Sequence, residues 1–247
     1  MQHNNCLNCD TQLSGRFCSG CGQKADTHRI TVRHFLLHDL AHGVWHLDKG
    51  IPYTLKQVFT RPGNAARDYI YGKRVRFYNI FYLLLIILGF ALLAGNDIEG
   101  GILGGEDKTL GTDTNGNFLR LIGKYPKVLF LVMLPLFALS SYTIFRRRRY
   151  NYPEHLIIAG FLFVAIFCFL LLAVLLDLST IPEFIFISEL IAYVCLLYPV
   201  LVYGQVFYKE YTPAGFIWRM VMVYLLLVFL FTTFMVIVYL AVMYGLL

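Results

Sequence analysis

Four cysteines near the start of the chain carry the clearest chemical signal. Cys6-x2-Cys9 is followed, after eight residues, by Cys18-x2-Cys21, so four thiols fall within a sixteen-residue window. Two-residue spacing lets both sulfurs of a pair reach one ion, and two such pairs close a tetrahedral site at about 2.3 Å per Zn–S bond. Gly22 follows the second pair, where a knuckle needs a positive-φ residue; Asp10 holds the matching place in the first pair and adopts it less readily. The competing product of four cysteines is a pair of disulfides, which a reducing cytosol disfavours. The expectation is therefore a structural Zn(II) on Cys6, Cys9, Cys18 and Cys21. A closed four-sulfur shell has no open position for a substrate, and the metal supplies folding free energy to a segment too short for a core of its own. Cys168 and Cys195 fall in apolar runs and are expected to be packing residues.

A second candidate is a histidine face. His34, His38, His42 and His46 recur every fourth residue, with Asp39 beside them, and Leu36, Leu37, Leu40, Val44 and Leu47 fall on the opposite side of the same helix. Imidazoles four residues apart suit first-row metals, with Asp39 as a further ligand or a hydrogen-bond partner of one. Against a second metal or polar site stand the shortage of other histidines, only His3, His28 and His155, and the presence of Phe35 and Trp45 within the same arc. The plainer reading is the polar side of a helix lying on a membrane or against a bundle. Deeper in the chain, Glu189 with Tyr193 is a candidate intramembrane polar site, set against the alternative of a carboxyl reaching back to the interface. No Ser/His or Asp/Asp pair suited to proteolysis is evident, and no Walker-type phosphate loop.

The elements that must position these residues are membrane helices. Of 247 residues 58% are hydrophobic and 15% charged, which excludes an ordinary soluble domain, where about a quarter are charged. The first ten residues are polar and lack the pattern of a cleavable signal peptide. Five apolar stretches, near 78–94, 128–145, 156–176, 184–208 and 219–244, approach the roughly 20 residues a bilayer needs. Basic residues mark one side: Lys73, Arg74 and Arg76, then Arg146, Arg147, Arg148 and Arg149, then Lys209 and Arg219. Asp177 and Glu183 bracket a loop without a base. The reading is an all-α polytopic membrane protein with about five transmembrane helices, N-terminus cytoplasmic and C-terminus outside. The loop 95–127 is placed outside; it is glycine-rich, with Asn115-Gly116 as an expected turn and Lys124, Tyr125 and Lys127 as an interfacial anchor.

The chain thus divides into a zinc ribbon, 1–24, cytosolic or interfacial amphipathic helices, His-rich and basic, 25–77, and a five-helix transmembrane domain, 78–247. The first 77 residues hold four of six cysteines, six of seven histidines and eleven of 21 Lys+Arg. Pro52 and Thr60-Arg61-Pro62-Gly63 are expected to break the basic section into short helices. Its cations interleave with Tyr53, Phe59, Tyr69, Tyr71 and Phe77, a composition suited to the bilayer and its anionic lipid headgroups. Without a base-reading module, no nucleic acid is expected as a partner. No internal repeat is evident.

CxxC-x8-CxxC-GQK at Cys6 to Lys24, HDLAHGVWHLDKG at His38 to Gly50, YTLKQVFTRPG at Tyr53 to Gly63 and YIYGKRVRFYN at Tyr69 to Asn79 resemble a family of bacterial inner-membrane proteins, frequent in Bacteroidota. That family has an N-terminal zinc ribbon and is catalogued as a domain of unknown function. Asp10, where glycine is more usual, is the departure. The resemblance implies a ribbon fused to a multi-span bundle and implies no activity; five spans after a cytosolic segment are also similar to membrane proteins of the Yip type. With a closed metal site and no catalytic constellation, the leading expectation is a non-enzymatic scaffold whose ribbon, through Arg16, Phe17 and Lys24, docks a protein partner. The alternatives are a metal-dependent membrane enzyme acting on lipid through the His34, His38, His42 and His46 face, and a small transporter or lipid-handling protein using Glu189, Tyr193 and a break at Pro199.

Overall fold

The computed structural model describes residues 4–25, 50–96, 114–124, 126–145, 150–177, 182–207 and 209–245. The regular elements among them are helices: α1 Gly50–Thr60, α2 Pro62–Ile70, α3 Ile80–Asn96, α4 Thr114–Lys124, α5 Pro126–Phe145, α6 Tyr152–Asp177, α7 Pro182–Phe207 and α8 Pro213–Met243. Each of the five apolar stretches is thus a helix. Three, over Tyr152–Leu176, Glu183–Phe207 and Pro213–Met243, are long and apolar enough to cross a membrane, while Ile80–Phe90 and Leu129–Phe145 are shorter apolar segments.

Local chemistry sets the helix starts. Asn151 and Glu154 form a reciprocal capping box on α6, the Glu154 amide donating to Asn151 Oδ1 (3.0 Å) and the Asn151 amide to Glu154 Oε2 (2.7 Å). Thr212 caps α8 ahead of Pro213, accepting from the Gly215 amide. Asn79 accepts from the Phe81 amide at the head of α3.

The long helix α6 is the centre of the bundle, packed by α3, α5 and α7, while α8 leans on α5. Its Ile157, Ile158, Phe161, Leu162 and Val164 are fully enclosed. By contrast α8 keeps most of its apolar surface outward, including Ile217, Val221, Leu225, Phe229, Val236 and Ile237, the pattern of a helix whose solvent is lipid.

The short helices α1 and α2 form a platform against α6 and α7. Pro52 does not break this section: it is the third residue of α1, where its missing amide costs nothing. The real break is Arg61, between Thr60 and Pro62, as the sequence suggested. A second expectation fails at Asn115-Gly116, which lies in the first turn of α4 rather than in a reverse turn. The Tyr239 hydroxyl donates to Asn115 Oδ1 (3.0 Å) and the Phe118 and Tyr239 rings meet edge to face at 5.2 Å, so contact with α8 outweighs local turn preference.

Candidate metal centre

The cysteine module consists of two nearly identical knuckles. In the first, the Cys6 amide donates to Thr11 O, Asp10 to Cys6 O and Leu13 to Asn4 O; in the second, Cys18 donates to Gln23 O, Gly22 to Cys18 O and Ala25 to Arg16 O. Every bond in the second set is the first displaced by twelve residues. Two isolated antiparallel bridges, Asn5 with Gln12 and Phe17 with Lys24, obey the same offset. In the sequence this internal repeat shows only as the twelve-residue offset of the two CxxC pairs, because most other matched side chains differ. The residue after each second cysteine turns back through positive φ: Gly22 at 76° and Asp10 at 58°. Asp10 does take the place that glycine fills in its twin.

These turns bring the four sulfurs within 4.8 Å of one another. Across the knuckles, Cys6 Sγ lies 3.6 Å from Cys21 Sγ and Cys9 Sγ 3.5 Å from Cys18 Sγ. A disulfide requires about 2.05 Å, and all four cysteines are free thiols. A tetrahedron with bonds of about 2.3 Å has edges of roughly 3.8 Å, so the donor set fits a four-coordinate soft cation. Burial pushes the Cys6 thiol up to about 11, while hydrogen bonds from Thr11 pull Cys9 down to about 6. Thiolate is the metal-binding form; Thr11 favours it at Cys9, and capture of an ion must displace the Cys6 proton.

The other expected sites fare differently. His34, His38, His42, His46 and Asp39 lie outside the described residues, as do Arg146, Arg147, Arg148 and Arg149. Glu189 and Tyr193 share the outward face of α7, both exposed, Tyr193 to 66%; they point away from the bundle rather than into an enclosure. In the basic section Lys73 and Arg61 both pair with Asp68, at 3.3 and 3.2 Å, and Arg74 lies over the Tyr69 ring. Arg76 is exposed.

Two constellations were missed by sequence reasoning. At the junction of α5, α6 and α7 the Tyr203 hydroxyl donates to Ser141 Oγ (2.9 Å), which lies 3.0 Å from His155 Nδ1. A Ser/His pair therefore exists inside the bundle, although the expectation concerned only a pair suited to proteolysis. All three residues are wholly buried, and His155 stacks on Phe207 with Tyr142 and Tyr150 at its edges. A hydroxyl holding a Tyr O–H and sealed by aromatic rings is not an accessible nucleophile; the trio ties three helices in register. Its partners are 14 and 62 residues apart, and only the lone intramembrane histidine hints at it.

The second constellation is on α7. Arg61, at the N-cap of α2, gives no side-chain cap, so the first amides of that helix need an acceptor from elsewhere. Gln205 Oε1 supplies it, taking the Gly63 amide at 2.9 Å and the Asn64 amide at 3.3 Å. Seven residues earlier on the same face, the Tyr198 hydroxyl donates to Val58 O in the last turn of α1 (2.6 Å). One stripe of α7 thus satisfies both orphaned ends at the α1/α2 break. Gly63 permits the approach: a Cβ there would collide with Val202 O and Gln205 Cβ.

Comparison with protein-family models matches residues 48–91, the stretch running from just before α1 into α3, to a family described as "Protein of unknown function (DUF3667)". No curated protein and no solved structure matches the chain.

Proposed function

We propose that this chain is a non-enzymatic scaffold of the bacterial inner membrane that crosses the bilayer five times and carries a structural zinc module on its cytoplasmic N-terminal side. The convergence of four cysteine sulfurs from two matched knuckles is the observation that carries the reading. Cys6, Cys9, Cys18 and Cys21 would hold Zn(II) with no free coordination position, so the ion contributes folding free energy and no chemistry on a substrate. A module with no core of its own that is braced by a metal is suited to presenting a surface.

The five-crossing reading draws support from which helix ends meet. Phe145, at the end of α5, stacks on Phe207 at 4.5 Å and meets Tyr211, next to the start of α8. The head of α4 instead touches Tyr239, near the other end of α8. Helices α4 and α5 thus line α8 in succession, from near Tyr239 to near Tyr211, which supports a crossing by α5 and with it one by α3.

The test is metal analysis of detergent-purified protein beside a Cys6→Ser/Cys9→Ser variant. One zinc per chain, lost in the variant, is the expected result. Zinc, iron or manganese that survives the cysteine changes would overturn the assignment of the resident metal to this module and direct attention to the histidine face.

A further inference from the structure

The two knuckles act as each other's control. They share one backbone hydrogen-bond pattern, so whatever the fold requires at a position in one knuckle it requires at the position twelve residues away in the other. At the outer edge the first knuckle carries Asn4, Asn5 and Gln12, all exposed and neutral. The matched residues of the second are Arg16, Phe17 and Lys24, equally exposed, with the Phe17 ring 62% open to solvent. Folding accepts asparagine and glutamine at these positions and so does not call for a phenylalanine between two cations. Phe17 and Lys24 stand opposite each other on the bridge, which puts their side chains on one face. No acidic residue lies between Ser14 and Ala25, whereas the first knuckle has Asp10.

We infer that this edge, Arg16, Phe17 and Lys24 on the second knuckle, seats on the anionic lipid headgroups of the bilayer that holds the chain. The inference rests on the scaffold reading above and names the surface that the zinc module meets. An aromatic ring with one cation opposite it on the bridge and another next to it in the chain matches an anionic interface, where the ring enters the headgroup region and the cations meet phosphates. Each basic side chain near such a surface strengthens binding about fivefold, and one ring adds a modest further factor, so a free module would bind weakly. This module is not free. The 24 residues from Asp26 to Lys49 join it to the platform, a reach of at most roughly 85 Å, so the bilayer is present at high effective concentration and weak contacts suffice. The edge would also extend the basic belt of Lys56, Arg67 and Arg76 on the same side of the membrane.

The experiment uses the full-length, zinc-loaded chain. With Trp45→Phe and Trp218→Phe removing both native indoles, Phe17→Trp places one at the edge and Asn5→Trp, in a separate variant, places one at the twin position. Each is reconstituted in phosphatidylcholine alone or mixed with phosphatidylglycerol, with brominated acyl chains as quenchers, and zinc content is measured on the same samples. Expected is a blue shift and quenching at position 17 in the anionic bilayer only, reversed by high salt and lost when Arg16→Gln and Lys24→Gln are added, with position 5 unresponsive. Emission at position 17 that stays water-like in zinc-loaded protein overturns the inference and leaves the scaffold reading, with its docking of a protein partner, standing. Equal quenching at positions 5 and 17, or in neutral and anionic bilayers, also overturns it. Loss of zinc from the unmutated chain would instead sink the scaffold reading itself.

Discussion

At the scale of single residues, the module's weakest point is the turn after each second cysteine. Gly22 turns through positive φ with open space around the missing side chain, so Gly22→Ala meets backbone strain and no collision. That strain is roughly 1–2 kcal/mol for an L-residue. Because binding and folding are one event in such a module, it should appear as about five- to tenfold weaker zinc retention in a chelator competition. Asp10→Gly should tighten retention or leave it unchanged, since Asp10 already bears the strain that glycine escapes. Equal weakening by both changes would show that the turn does not limit the site. Cysteine spacing and these two turn positions were legible in the sequence because their chemistry is local. The repeat relating them shows there only as the offset of the cysteine pairs, because hydrogen bonds between main-chain atoms carry no side-chain signature.

At the scale of elements, the platform is held by partners that local sequence cannot reveal. Pro62 marks the start of α2 and Arg61 its missing cap, but the acceptor is Gln205, 141 residues away from Asn64. Gln205→Leu keeps the bulk and strands two amides, which should cost about 1–3 kcal/mol. Gly63→Ala drives a methyl into α7 and should cost a similar amount, about 1–3 kcal/mol, by forcing the helices apart. The two changes break one contact, so the double variant should lose less than the sum of the singles. Thermal unfolding in mild detergent measures all three, and strict additivity would mean that the cap and the close approach act independently. The buried trio has the same logic: Ser141 of α5 joins Tyr203 of α7 to His155 of α6, and both partners reach it from other helices.

At the scale of the whole molecule, hydropathy located every long helix to within a few residues, since an apolar run of bilayer length has few other uses. It was weaker on α4, whose amphipathic turns are short and whose order comes from α8. The number of crossings turns on this region. Three crossings by α6, α7 and α8, or five with α3 and α5 added, put Arg148, Ser179 and Leu247 on the same respective sides, so reporters at those positions decide nothing. Only the segment between α3 and α4 separates the two topologies. On the five-crossing proposal, which the contacts of Phe145 with Phe207 and of Phe118 with Tyr239 support, that segment would share a side with the residues that follow α8. A reporter inserted after Gly105 should therefore be active outside the cytoplasm, matching one fused after Leu247 and opposing one placed after Arg148. Cytoplasmic activity after Gly105 would leave α3 and α5 as helices that do not span the membrane, and the chain would then have three crossings.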